Sequence, residues 1–525
     1  MASCIQKQPF NFHVLLHGTC SANHFYITLH YVLVKSALPK DSNQIFQTPA
    51  AKDILSARLP ELRYKKILQG LQADVSLGHF DFILHPRHNQ VQFWLSQRRK
   101  NLDYIPNLSL TIENSRNTIL TMEPILRKEY FERLRAYKDK HIIKVVTGIR
   151  RCGKSMLLKM FREYLLESGI EEKQIIFLNF EDFDNYELLS PKNLHDYVKS
   201  RIVQDKMTYV FFDEIQNVTD FQRVVDSLFL NENVDLYLTG SNAYLLSGEL
   251  ATLLSGRYIT IEMLPFSFKE FSLALGENSN LSKAEKYRLY VQKTSFPYAL
   301  NLGDDRQEIL DYLSGVYSTV VLKDVVSRHK ITDTKMLESV VRFVFDSIGS
   351  PLSSKKIADT MTSSGRKIDS KTVEKYLTAL GESFIIYEAK RYDAKGKEYL
   401  KLLEKYYAVD VGLRFMLLGQ RANDVGHILE NIVYLELIRR GFKVFVGKVD
   451  DAEIDFVAQN QEGNTYIQVA ATCREETTLQ RELRPLKALK DNYPKLLLTL
   501  DEDPVADYEG IKRMNALDWL LSTGE

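Results

Sequence analysis

Between residues 140 and 240 the hydrophobic positions fall into two alternating patterns. Residues 142–147, 174–180, 208–212 and 234–239 are short, largely apolar runs, the signature of strands buried on both faces. Between them apolar residues recur at helical spacing, most clearly over 154–166. Strands alternating with helices predict a parallel sheet covered on both sides, an α/β core over 122–275. An amphipathic helix is expected ahead of it, from Pro124 onward. Residues 276–345 read as largely helical, a lid or linker. Residues 346–415 read as short helices followed by a hairpin, and 416–525 return to a mixed α/β pattern. Residues 1–121 stand apart as an extension of unknown role. They show little periodicity beyond runs such as Phe80–Leu84 and Val91–Leu95, and hold seven of the eleven histidines.

Length and composition narrow the picture. At 525 residues the chain exceeds one hydrophobic core and should divide into several domains. A net charge of +1 gives no global attraction to nucleic acid or anionic lipid, so any such partner must be met by a local patch. Cys4, Cys20, Cys152 and Cys473 lie far apart, which excludes a zinc ribbon and fits a reducing, cytoplasmic setting. His13 and His17 break the apolar run around Val14-Leu15-Leu16, so no signal peptide is expected. Their i, i+4 spacing is that of metal ligands, but a lone pair assigns no metal. No stretch reaches the roughly 18 apolar residues of a spanning helix, and no membrane partner is expected.

The chemistry is concentrated after the first buried run. Gly148, Ile149, Arg150, Arg151, Cys152, Gly153, Lys154 and Ser155 match GxxxxGK[ST], and they follow a strand and open a helix. Glycines let backbone N–H groups turn inward around a β-phosphate, and the helix N-terminus adds its positive end. Lys154 is placed to bridge β- and γ-phosphate oxygens, and Ser155 to ligate Mg²⁺. The run 208–212 ends in Asp213 and Glu214. These carboxylates suit the metal (Asp213) and the attacking water (Glu214). The run 234–239 ends near Ser241 and Asn242, either of which suits the γ-phosphate or the water. Arg257 follows; it either stabilises transition-state charge in a neighbouring subunit or pairs with a surface carboxylate. ATP and Mg²⁺ are the cofactors this set implies.

These segments, with Leu264-Pro-Phe-Ser-Phe-Lys-Glu-Phe271, resemble a prokaryotic family of AAA+-type P-loop ATPases that carries a C-terminal domain of unknown function. The resemblance runs from about Met122 to about Val469. It implies an AAA-type core with Asn242 as sensor and Arg257 as arginine finger, hence a homo-oligomer. Members begin near Met122, which makes 1–121 an upstream extension.

Two further modules are expected. Ser353 and Asp369 each cap a short helix, and Lys395-Gly396-Lys397 marks a hairpin turn between strands at 384–389 and 399–403. Helix, turn, helix, hairpin is a winged-helix plan. Residues 353–405 hold twelve Lys/Arg against eight Asp/Glu, a local +4 that suits DNA or the solvated face of a protein-binding module. Farther on, Glu430 on a helix and Asp455 on a strand match a restriction-endonuclease-like site. Its expected glutamate and lysine are here Gln468 and Ala470, which neither bind Mg²⁺ well nor orient water. A retained fold without nuclease chemistry is the expectation. The chain therefore reads as an ATPase that couples its nucleotide cycle to a DNA or protein partner. A slow nucleotide-dependent switch or scaffold and an ATP-coupled nuclease are the alternatives.

Overall fold

In the computed structural model the chain divides into two units, Met1–Thr121 and Met122–Glu525. The structure describes residues 125–522 apart from 244–255, 277–279, 304, 395–397 and 420–423. Before them it describes four strands. In the first unit, β1 (Val14–Ser21) pairs antiparallel with β2 (His24–Tyr31), and β3 (Phe80–Leu84) with β4 (Val91–Leu95). The His13–His17 pairing lies outside the residues whose side chains are described.

The second unit begins with a helix, Lys128–Ala136, and then builds a five-stranded sheet. Its strands are β5 (Ile143–Thr147), β6 (Ile175–Asn179), β7 (Thr208–Asp213), β8 (Val234–Gly240) and β9 (Tyr258–Glu262). The order is β6-β7-β8-β5-β9, and every pair is parallel. β5, β7 and β8 are buried along their whole length, as strands packed on both faces must be. β9 was not expected. It is an edge strand, Tyr-Ile-Thr-Ile-Glu, whose half-buried, alternating composition lacks the continuous apolar run of the central strands.

Parallel strands share one direction, so the C-terminal tips of β5, β7 and β8 open on the same edge of the sheet. Because β8 lies between β5 and β7, its tip sits between the loop after β5 and the acids after β7. That arrangement positions the site.

Beyond the sheet come helices Phe268–Ala274, Lys283–Gln292 and Arg306–Ser318, a widened turn of helix at Thr319–Ser327, and helix Thr334–Asp346. Ser353 and Asp369 do cap helices, Ser354–Ser363 and Ser370–Glu382, by accepting from the backbone N–H of Lys356 and Thr372. The hairpin follows as β10 (Ile386–Asp393) and β11 (Glu398–Ala408). β10 starts later than expected because Phe384, at φ +57°, turns the chain out of the preceding helix. The turn residues 395–397 lie outside the described residues.

This hairpin does not end its own module. β10 pairs in parallel with β12 (Lys443–Val449), which continues into β13 (Ala452–Asn460), β14 (Gly463–Ala470), β15 (Lys495–Thr499), β16 (Ala506–Tyr508) and β17 (Ile511–Asn515). The result is one mixed eight-stranded sheet, β11-β10-β12-β13-β14-β15-β17-β16. The line drawn at 415/416 therefore crosses a continuous sheet. Helix Val425–Arg439 packs on it with its length almost wholly buried.

Candidate nucleotide site

The loop between β5 and helix Lys154–Glu167 is built on three residues in left-handed or related conformations: Gly148 (φ +142°), Arg151 (φ +69°) and Gly153 (φ +108°). Gly148 is required sterically, since a Cβ there would lie 2.1 Å from the carbonyl oxygen of Met263. Ile149 and Cys152 turn into the core and anchor the loop, and burial pushes the Cys152 thiol up, away from reactivity. Lys154 is buried, donates to the carbonyls of Gly148 (2.9 Å) and Ile149 (3.2 Å), and lies 3.6 Å from Glu214. At the head of its helix, backbone N–H groups face the same space.

The acidic pair sits opposite. Thr239, at the tip of β8, donates its hydroxyl to Asp213 Oδ1 at 2.5 Å and accepts the Glu214 N–H at 2.9 Å. Glu214 holds φ +55°, an uncommon conformation for a side-chain-bearing residue, which turns its carboxylate back toward Lys154. Burial pushes the Asp213 carboxyl up, opposed by hydrogen bonds from Thr239 and Ser155. Burial acts on Glu214 too, but the Lys154 ammonium, the Gln216 amide and Arg150 together hold it below the usual range. Glu214 is thus an anion, gripped through Oε2 by Gln216.

These residues suit a magnesium ion. Asp213 Oδ2 is buried and accepts no well-formed hydrogen bond, while the Ser155 hydroxyl lies close enough to favour the charged carboxylate. A hard, oxygen-seeking cation matches an orphaned carboxylate oxygen beside a hydroxyl. Asn242 and Ser241 are buried just past β8, on the same edge of the sheet.

Two expected residues are elsewhere. Arg150 points out of the loop, bonded to Asp324 (2.8 Å) and Glu181 (2.7 Å). Arg257 lies at the opposite end of the sheet: its carbonyl accepts from Ile143 N, at the start of β5. With five residues in β5, that is about 16 Å from the loop. Its side chain pairs with Asp226 at 2.7 Å. Arg257 therefore does not reach the site of its own chain.

Three contributors were given no role from the sequence. Arg127 donates to the loop carbonyl of Cys152 (3.1 Å) and to Leu264 O (2.9 Å), while pairing with Glu270 (2.6 Å). Gln216 holds Glu214, and Arg328, beside Asp324, sits in the electrostatic field of Glu214 and Arg150. Only the two-residue step from Glu214 to Gln216 was available to find any of them.

Comparison with known proteins identifies the domain that carries these residues. Residues 140–272 match the model of an AAA domain, and residues 284–424 match a domain of unknown function (DUF8612). An uncharacterized protein of Haemophilus influenzae is 41% identical over 404 residues, covering 76% of this chain and 98% of that protein. The chain belongs to one family with that protein, and its core is an AAA domain. An uncharacterized protein of Methanocaldococcus jannaschii is 31% identical over 367 residues, 66% of this chain and 79% of that one. Among solved structures, the Walker-type ATPase of Pyrococcus abyssi matches with 16% identity and a TM-score of 0.39, covering 56% of this chain and 95% of that one. The AAA domain thus covers the sheet from β5 to β9. No helix among the described residues is long and apolar enough to cross a membrane.

Glu430 and Asp455, expected from the sequence as part of an endonuclease-like site, lie together around a residue that was not expected. Lys405, from β11, points its ammonium at Glu430, Glu453 and Asp455. Gln468 accepts the Asp455 N–H and donates to Glu482 at 2.8 Å, and Ala470 is buried nearby on β14.

Proposed function

We propose that the chain hydrolyses ATP with Mg²⁺ and uses the cycle to act on DNA bound at residues 353–405. The observation that supports this best is the convergence of Lys154, Ser155, Asp213 and Glu214, with the two acids held by Thr239 between them. The loop from Gly148 to Ser155 and its helix end bind the triphosphate. Ser155 and Asp213 would hold Mg²⁺, which would supply charge neutralisation at the phosphate oxygens. Glu214, charged and steered by Gln216, accepts a hydrogen bond from water and orients it toward the γ-phosphate. Asn242 holds that water or the γ-phosphate from the β8 tip. Arg328, paired with Asp324 in the helical region and within the field of Glu214, adds positive charge on that side of the site, and Arg257 acts on the site of a neighbouring copy in a homo-oligomer.

The DNA reading draws on the winged-helix order of Ser354–Ser363, Ser370–Glu382 and the β10–β11 hairpin. Lys355, Lys356, Arg366, Lys367, Lys371 and Lys375 are all exposed on or beside those helices. Such cations meet phosphates without reading bases.

Steady-state turnover tests the core of the reading. Glu214→Gln should lower kcat about 100-fold or more while ATP affinity changes only a few-fold. Unchanged turnover would remove Glu214 from the water. Adding duplex DNA to the wild-type chain should raise turnover; no response to duplex, single-stranded DNA or RNA would direct the search to a protein partner.

A further inference from the structure

The charged cluster of the C-terminal sheet carries an inference independent of ATP hydrolysis. Glu453 and Asp455, two residues apart on β13, face one side of the sheet, and Glu430 reaches them from helix Val425–Arg439. Into their midst comes Lys405, only 3% exposed, with Nζ 2.9 Å from Glu430, 2.8 Å from Glu453 and 3.6 Å from Asp455. The Tyr407 hydroxyl donates to Glu430 at 2.7 Å, and Val469 N–H donates to Asp455 at 2.9 Å.

We propose that Lys405 is a built-in cation, its ammonium taking the place of a divalent metal among Glu430, Glu453 and Asp455. The domain is thereby joined to the hairpin without any metal.

Stoichiometry and geometry favour this. An ammonium has three donors, and three carboxylates surround it. With the ammonium among them the three carboxylates are not drawn in to metal-ligand spacing, and no group of three or more His, Cys, Asp or Glu among the described residues is arranged to hold a metal ion. Burial first, and then the charge of Glu430, push the Asp455 carboxyl up, and the Lys405 ammonium opposes them. Ala470 and Gln468 add no positive charge. Arg391, 3.5 Å from Glu453, is the further cation at the rim. Removing the ammonium leaves buried carboxylates unpaired, which is strongly destabilising unless another cation enters.

The test is thermal unfolding of the full, nucleotide-free chain in EDTA and in Mn²⁺. The wild-type midpoint should agree in the two conditions to within about 1 °C. Lys405→Met should melt earlier in EDTA and recover by about 3 °C or more in Mn²⁺. That recovery should vanish in Lys405→Met/Asp455→Asn. A Lys405→Met chain indifferent to Mn²⁺ overturns the proposal, as does a wild-type chain stabilised by Mn²⁺ through Asp455. If Lys405→Met cannot be recovered folded, Mn²⁺ binding to the wild-type chain decides. A signal identical in Asp455→Asn supports the built-in cation, and an Asp455-dependent site refutes it.

Discussion

At Gly148 and Glu214 the backbone itself is part of the site. A methyl group on Gly148 meets the Met263 carbonyl at 2.1 Å, and φ +142° is a conformation L-residues rarely adopt. Gly148→Ala should therefore cost more than about 2 kcal/mol and shift the loop, seen as a lower urea midpoint together with lost ATP binding. Arg328 offers a separate readout. It contacts no element of the loop, so Arg328→Ala should leave the midpoint within about 1 kcal/mol of wild type while turnover falls about tenfold. Turnover equal to wild type would return Arg328 to a purely structural partnership with Asp324. Arg150, though inside the motif, should behave in the opposite way. Its bonds to Asp324 and Glu181 make Arg150→Ala a stability variant first.

Among the elements, the hairpin has a titration of its own. Glu388 on β10 faces Glu404 on β11, and burial together with the hydrogen bond and charge of Glu404 raises its carboxyl to about 7. A carboxyl whose folded pKa exceeds its unfolded value makes stability fall as pH rises from its unfolded to its folded pKa. The unfolding midpoint should therefore decline between pH 4.5 and about 7 at low salt, and Glu404→Gln should flatten that decline. An unaltered profile in the variant would place the titration elsewhere.

The elements also show what the sequence could and could not disclose. The central strands were legible because burial on both faces forces continuous apolar runs. β9 was not, because its Tyr-Ile-Thr-Ile-Glu alternates, whereas β6, the other edge strand, keeps an apolar run. The loop and the acids were legible because a phosphate demands those residue types at that spacing. Arg127, Gln216 and Arg328 were not, because each acts across 25 residues or more, or through a side chain with no distinctive neighbour. Lys405 escaped for the same reason. The lysine expected at position 470 was sought on β14, and a cation instead arrives from the hairpin.

For the molecule as a whole, the placement of Arg257 makes assembly measurable. An arginine about 16 Å from its own loop can serve catalysis only in another subunit. Mixing Arg257→Ala chains with Lys154→Ala chains should restore turnover that neither shows alone, whereas strict additivity would leave Arg257 as the partner of Asp226. DNA affinity should fall steeply with salt, and Lys355→Ala/Lys371→Ala should reduce the slope of log K against log salt by about 2. A chain starting at Met122, containing the whole second unit, should keep turnover within about two-fold of the full chain.

The parallel join of β10 to β12 has a mechanical meaning. Three register pairs, Arg391 with Val446, Tyr392 with Gly447 and Asp393 with Lys448, weld the basic helices' hairpin to everything after it. A tug delivered to those helices by a bound polymer would meet no slack before reaching the final strands. The buried core that joins the nucleotide-binding sheet to the same helices, from Phe161 through Val341 to Val373 and Leu380, would carry that load in the other direction too.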